Sequence, residues 1–355
     1  MKTELTIERR ITPALPVEVC QRLLAFYERQ PDATPQCSQG WRFLHGGSLL
    51  PLVDALRSKD VPRLANVLGC LYQNKVMYGL DSSRQYLEEY DLGSGEATHL
   101  TPEFYLNGWL GLLRTVACNF GGAGVPNPEQ GGPACPEPEV LVDIIEKGLG
   151  FRLDFPGAGS VSGVNVAGRY IPHKLLDGAG VIATAMRLKC WPPNNVLEIG
   201  AGAAWLGYLC HQLRIPNYSI VDLPAVAVIG ASVLATSISP GLVWLQGEPR
   251  SLLDVGSFVF GSAEPLKPLW EGSFDLVINQ NSFPEIDPPQ QEEYVKLLEW
   301  ALRPGGVFLS INHETDAFNQ RRAFIAMSAS SSFKLTHRSP WWTRPGWVEE
   351  IWEHT

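Results

Sequence analysis

The sequence predicts an α/β fold, a doubly wound and mostly parallel sheet behind a mainly helical N-terminal region. Three observations predict it. From about residue 165, short apolar runs alternate with helical segments. A glycine turn, Gly200-Ala201-Gly202, sits where the first strong strand of that series meets a helix. The third observation is Asp222, which follows Gly200 at the end of the next strand.

The elements follow in order. Residues 19–27, 49–56, 63–72 and 104–116 carry helical apolar spacing, punctuated by Pro13, Pro16, Pro31, Pro35, Pro51 and Pro62. Residues 121–138 are rich in glycine and proline and read as a loop or linker. Strands are expected at 195–199, 218–221, 242–245, 274–278, 307–311, 333–336 and 348–352. Helices are expected at 203–213, 225–236 and 290–302. The last two strands have no helix between them, which implies one antiparallel strand. The chain therefore divides into a mainly helical region, 1–150, and an α/β domain, 151–355.

Composition narrows the class. The 355 residues are 45% hydrophobic, ample for a core, and the formal net charge of -9 speaks against a nucleic-acid partner. Seven cysteines lie scattered without a CxxC pair, so a disulfide framework or structural zinc is not expected. The N-terminus carries Glu8, Arg9 and Arg10 and no apolar core of a secretory signal. These features together predict a cytoplasmic protein. Residues 225–246 carry no charge, but small and polar residues interrupt them well short of the ~20 apolar residues of a span. A buried helix is the expectation, with no membrane partner.

The turn selects its ligand by charge. Glu198 enters it at the end of the strand, where negative charge suits a cationic ligand better than a pyrophosphate. A dinucleotide fingerprint wants glycine where Trp205 stands, and a bulky indole at the helix start disfavours that reading. A carboxylate at Asp222 suits two ribose hydroxyls. S-adenosylmethionine, with its ammonium, sulfonium and ribose, matches this set.

On these residues the chain resembles the class I S-adenosylmethionine-dependent methyltransferases. Ala204 replaces their usual third small glycine. A narrower resemblance, to the sugar O-methyltransferase family, is carried by Val221-Asp222-Leu223-Pro224, by the run from Asp275 to Ile286, by Tyr294, and by Ser310-Ile311-Asn312-His313. Ile286 stands where that family has methionine. The likeness covers about residues 165–320 and leaves the N-terminal region, the presumed seat of substrate choice, poorly matched.

The resemblance implies a Rossmann-like seven-stranded methyltransferase sheet with a mainly helical N-terminal extension. It implies that Gly200, Ala201 and Gly202 pass beneath the methionine part of the cofactor, with Glu198 near its ammonium. Asp222 would take the ribose, Leu223 the adenine, and Asn279, Gln280, Asn281 and Ser282 would lie beside the methyl group. For Asn279 and Asn281 a turn-forming role competes with this. Arg169 would pair with the cofactor carboxylate or simply end a helix, and Tyr170 and His173 lie in the same segment, which often closes over the cofactor.

His313 is the general-base candidate, because it follows a strand at the ligand-bearing edge and its ordinary pKa of ~6.5 suits proton removal. Glu285 would orient it or bind acceptor hydroxyls. Glu285, Asp287, His313 and Glu314 could supply ligands to a divalent cation, yet no spacing resembles a dedicated metal motif. Four tryptophans, Trp341, Trp342, Trp347 and Trp352, cluster near the last hairpin, for packing or for stacking on a sugar. The expected activity is methyl transfer to a hydroxyl of a sugar or glycosylated metabolite. The alternatives are a nitrogen, carboxylate or carbon acceptor, and a methyltransferase-like domain that binds without catalysis. The expected partner is a small-molecule acceptor, and homo-oligomerisation is open.

Overall fold

The computed structural model of the protein describes residues 5–9, 12, 14–30, 47, 49–71, 76, 102–121, 136–158, 162–248, 258–261, 271–314 and 322–355. Most of the expected loop at 121–138, and Cys37 and Cys135, lie outside the described residues.

The central sheet is built from β4 (Asn195–Ile199), β5 (Asn217–Val221), β6 (Val243–Leu245), β7 (Phe258–Gly261), β8 (Phe274–Gln280), β9 (Leu302–His313), β10 (Phe333–Pro340) and β11 (Trp347–His354). Their spatial order is β10-β11-β9-β8-β4-β5-β7-β6. Pairs from β6 to β9 are parallel, while β11 runs antiparallel to both β9 and β10. The single antiparallel strand expected from the helix-free hairpin is thus β11. Among the described residues the sheet has eight strands, where seven were expected. The extra strand is Phe258-Val259-Phe260-Gly261, inserted between β5 and β6. Four residues are too few to show periodicity, which is why the sequence hid it.

Side chains alternate across this sheet, as the two-residue strand period requires. Val196, Ile220, Leu276 and Ile278 join one buried cluster, and Leu197, Ile199, Val221 and Val277 join another on the opposite face. Helices α6 (His173–Arg187), α7 (Trp205–Gln212), α8 (Pro224–Ser237) and α9 (Pro288–Ala301) follow or precede the parallel strands. The uncharged segment after residue 224 is α8, 14 residues long and buried from Pro224 to Ala235. Among the described residues no helix is long and apolar enough to cross a membrane.

The described residues of the N-terminal region include the helices α1 (Val17–Arg29), α2 (Leu50–Arg57), α3 (Val61–Gly69), α4 (Pro102–Asn119) and α5 (Pro138–Leu149). Asp60 caps α3 by accepting the Arg63 N–H at 3.0 Å. Gly150, at φ 80°, ends α5 in the left-handed conformation that glycine adopts without penalty. A small antiparallel sheet joins β1 (Thr6–Arg9), β2 (Ser162–Val166) and β3 (Arg169–Ile171). Strand β1 therefore pairs with β2 across the expected boundary at residue 150.

The two regions share one continuous core, running from Leu15 to Ile351. Arg22 of α1 reaches the sheet edge, where it forks onto Glu248 at 2.7 and 2.8 Å and donates to the Val243 carbonyl at 2.6 Å. Trp109 of α4 donates its indole N–H to the Ile171 carbonyl at 3.0 Å.

Candidate active site

The parallel strands β4, β5, β8 and β9 end at one edge, where doubly wound sheets hold their ligands. The glycine turn leaves β4 there. The Gly200 N–H donates to the Val221 carbonyl at 2.8 Å. Gly200 adopts φ 73°, and a Cβ on it would lie 2.1 Å from the Ser282 hydroxyl oxygen, so no larger residue fits. Gly230 of α8 approaches the turn from the other side, where a Cβ would come within 2.9 Å of the Gly202 carbonyl. The turn is held in a vice between β8 and α8, with its backbone shape fixed in advance.

Asp222 completes the turn. Its carboxylate accepts the Gly202 N–H at 2.9 Å and the Leu223 N–H at 2.7 Å. Burial pushes the Asp222 carboxyl up to about 7, against those backbone donors, and the nearby charge of Glu285 adds to the rise. Glu285 therefore sits within electrostatic reach of Asp222. It lies in a short 3-10 turn, residues 283–285, and its N–H donates to the Ser282 carbonyl at 3.0 Å.

Glu198 lies on the face of β4 that carries Val196 and is only 4% exposed. Its carboxyl accepts the Tyr218 hydroxyl at 2.8 Å, and burial pushes it up to about 8. At neutral pH in the ligand-free protein it is largely protonated. A cationic group beside it would draw that proton off.

The strand ends are tied by a buried amide network. Asn279 is fully buried. Its Nδ2 donates to the Ile199 carbonyl at 2.8 Å and to Ser282 Oγ at 2.6 Å. Its Oδ1 accepts the Phe283 N–H at 3.0 Å and Asn312 Nδ2 at 2.9 Å. Asn279 and Ser282 thus hold β4, β8 and β9 together. Of the two expectations for Asn279, a place beside the methyl group or a turn-forming role, its amide serves the second kind, with its hydrogen bonds spent inside the protein. Gln280 ends β8, with a buried Nε2 that has no hydrogen-bond partner among the described residues. Asn281 is a turn residue at φ 60°, and its Oδ1 accepts the indole N–H of Trp347.

Arg169 and Tyr170 are corrected outright. The Arg169 guanidinium is paired with Asp143 and, at 3.0 Å, with Glu146, both on α5. Tyr170 is fully buried, with its ring against Gly163. Both belong to the small sheet, and the ion pairs to α5 occupy the Arg169 guanidinium that the resemblance offered to a cofactor carboxylate.

Trp205 is corrected too. Its indole is buried and lies 4.8 Å from the Phe155 ring, turned into the core. It does not block the start of α7, so its bulk no longer argues against a dinucleotide. The Glu198 carboxyl at the end of β4 still does, because an acid beside the turn would stand against a pyrophosphate.

His313 ends β9 at the same edge, beside Trp347, with ring centres 5.8 Å apart and edge to face. Its Nδ1 is buried with no partner among the described residues. Burial holds the imidazole below its usual 6.5, although Glu314 works against that. Burial thus favours its neutral, proton-accepting form. Among the described residues no group of three or more His, Cys, Asp or Glu could hold a metal ion. Glu314 is engaged by Arg338 at 2.5 Å.

Sequence reasoning missed a neighbouring cluster. Asp177 on α6 is fully buried and pairs with Arg344 at 3.1 Å, Lys174 at 3.5 Å and His173 at 3.9 Å. Arg344 also lies over the Trp347 ring, 4.7 Å from its centre. Lys174 and Asp177 stand three residues apart on a helix, a visible spacing. Nothing local announced Arg344, 167 residues away.

The groups present suit S-adenosylmethionine. Asp222 accepts one N–H on each carboxylate oxygen and keeps lone pairs for ribose hydroxyls, and Glu198 offers a carboxyl that a cation would ionise.

No family model matches the sequence, and no curated protein matches it. Solved structures overlap it in part. An O-methyltransferase of tomaymycin synthesis from Streptomyces achromogenes is 17% identical over 50% of this chain and 79% of its own, with a TM-score of 0.34. A geranyl diphosphate C-methyltransferase from Streptomyces coelicolor is 12% identical over 52% and 78%, with a TM-score of 0.37. A [4+2]-cyclase is 10% identical over 50% and 81%, with a TM-score of 0.38. Such distant overlaps carry no functional weight, and the reading below rests on the residues.

Proposed function

We propose that the protein is an S-adenosylmethionine-dependent methyltransferase of a small molecule, and that the acceptor is a hydroxyl of a sugar or glycosylated metabolite. One observation carries the reading. The glycine turn is clamped between Ser282 and Gly230 and bonded to Asp222, at the ligand edge of a mostly parallel sheet in which antiparallel β11 lies between β9 and the edge strand β10.

Gly200, Ala201 and Gly202 give the cofactor a backbone floor. Asp222 would accept its ribose hydroxyls, Leu223 would lie along its adenine, and Glu198 would face its ammonium. When bound there, the cofactor would supply an electrophilic methyl group to the acceptor oxygen, leaving as the neutral thioether. His313 takes the proton that the acceptor hydroxyl loses. Its lowered pKa keeps it unprotonated and ready at neutral pH. Asn281 and Trp347 hold the wall beside it. The N-terminal region, 1–150, contributes to substrate choice in this reading, and the protein works in the cytoplasm without a required metal.

The test is a mass-spectrometric screen of hydroxylated acceptors with S-adenosylmethionine. A gain of 14 daltons, the mass of one CH₂, is expected on an oxygen. Methylation confined to nitrogen or carbon acceptors would replace the hydroxyl part of the reading.

A further inference from the structure

The cluster around Asp177 is not used by the chemistry above, yet it borders it. Arg344 sits in the β10–β11 connection, over Trp347, and Trp347 touches both His313 and Asn281. Three buried polar atoms here have no hydrogen-bond partner among the described residues: Asp177 Oδ1, Thr343 Oγ1 and His313 Nδ1. Asp177 is the deepest, with 2% of its side chain exposed. Orphaned buried acceptors of this kind cost stability unless something fills them.

The charges also fail to cancel. Lys174 and Arg344 are two cations against the single carboxylate of Asp177, and His173 stays neutral because burial pushes it down to about 4. One positive charge is left over. The cations retain 17% and 22% side-chain exposure, so the surplus is reachable from outside. The arrangement asks for a ligand with one anionic group and an adjacent hydrogen-bond donor.

Position says which ligand. From β5, which Asp222 follows, to β11, which Arg344 precedes, the sheet steps across β4, β8 and β9. Four strand spacings make roughly 19 Å. A cofactor anchored at Asp222 by its ribose does not span that with its methionine tail. The acceptor does lie on this side, beside His313.

We propose that Lys174, Asp177 and Arg344 form the acceptor subsite and select a hydroxylated carboxylic acid, such as a sugar acid. Its carboxylate meets Arg344 and Lys174, and a neighbouring hydroxyl donates to Asp177 Oδ1. This rests on the methyltransferase reading and narrows its acceptor.

The experiment is calorimetric titration of the full chain saturated with S-adenosylhomocysteine. The probes are D-glucuronate, D-gluconate and D-glycerate, each against its uncharged counterpart, D-glucose, D-glucitol and glycerol. At least one acid should bind tenfold or more tightly than its counterpart. Arg344→Gln should erase that difference while leaving S-adenosylhomocysteine affinity unchanged, and Arg344→Lys should restore part of it. A melting curve on each variant separates lost binding from lost fold. No preference for any acid in the unaltered protein overturns the proposal without need of a variant. A fall in S-adenosylhomocysteine affinity in a folded Arg344→Gln also overturns it, because the pair would then serve the cofactor. If the unaltered protein binds no S-adenosylhomocysteine, the methyltransferase reading itself fails first.

Discussion

The Asp222 carboxylate accepts the Gly202 N–H at 2.9 Å, so the acid at the end of β5 shapes the turn at the end of β4. One residue thus fixes the backbone of the candidate site's floor. Asp222→Asn replaces a charged acceptor with a neutral one that has a single oxygen. Hydrogen bonds to charged groups are worth ~1.5–3 kcal/mol, so S-adenosylhomocysteine affinity should fall about tenfold to a hundredfold, read by calorimetry. An unchanged affinity would remove Asp222 from the cofactor site.

The pH dependence follows from the two raised carboxyls. Glu198 and Asp222 are pushed up to about 8 and about 7, from ordinary values of 4.5 and 3.8. Between those limits the folded protein binds more protons than the unfolded chain. Stability therefore falls as pH rises through that window. The ligand-free melting temperature should drop from pH 5 to pH 8, and Glu198→Gln should flatten the slope. A cofactor ammonium and ribose favour the ionised forms, so binding should tighten over the same range and release protons. Titrations in buffers of different ionisation enthalpy count them.

The close approach of α8 to the turn makes Gly230→Ala informative. The added methyl would sit 2.9 Å from the Gly202 carbonyl and 3.2 Å from the Phe260 ring. Overpacking of this kind costs ~1–3 kcal/mol. Denaturant unfolding should show that loss, with weaker cofactor binding because the floor moves.

His313→Ala should lower kcat on a hydroxyl acceptor by ~10²–10⁴, with S-adenosylhomocysteine affinity retained. The acid limb of the unaltered enzyme's kcat profile should lie below pH 6.5, because burial holds the imidazole under that value. Full activity in His313→Ala would return the proton to solvent or to another group.

Periodic and local features were legible from the chain. The glycine turn, the strand–helix alternation and the uncharged helix α8 all lie near their expected residues, because each depends on neighbours within one or two turns. What depended on distant partners was not. Arg169 looked available until α5 supplied Asp143 and Glu146. Trp205 looked like an obstacle until Phe155 drew it into the core. Asn279 read as a turn residue or a ligand, and its four hydrogen bonds to Ile199, Ser282, Phe283 and Asn312 exist only once three strands meet. Arg344 carried no signal, since its partner Asp177 lies on a helix early in the domain.

The central claim is that the clamped turn and Asp222 hold S-adenosylmethionine. Calorimetric titration of the unaltered protein with S-adenosylhomocysteine, run beside NAD, tests it most directly. Saturable binding of S-adenosylhomocysteine that Asp222→Asn weakens, with no binding of NAD, is the predicted result. Binding of NAD instead, or of neither at millimolar ligand, would contradict the account.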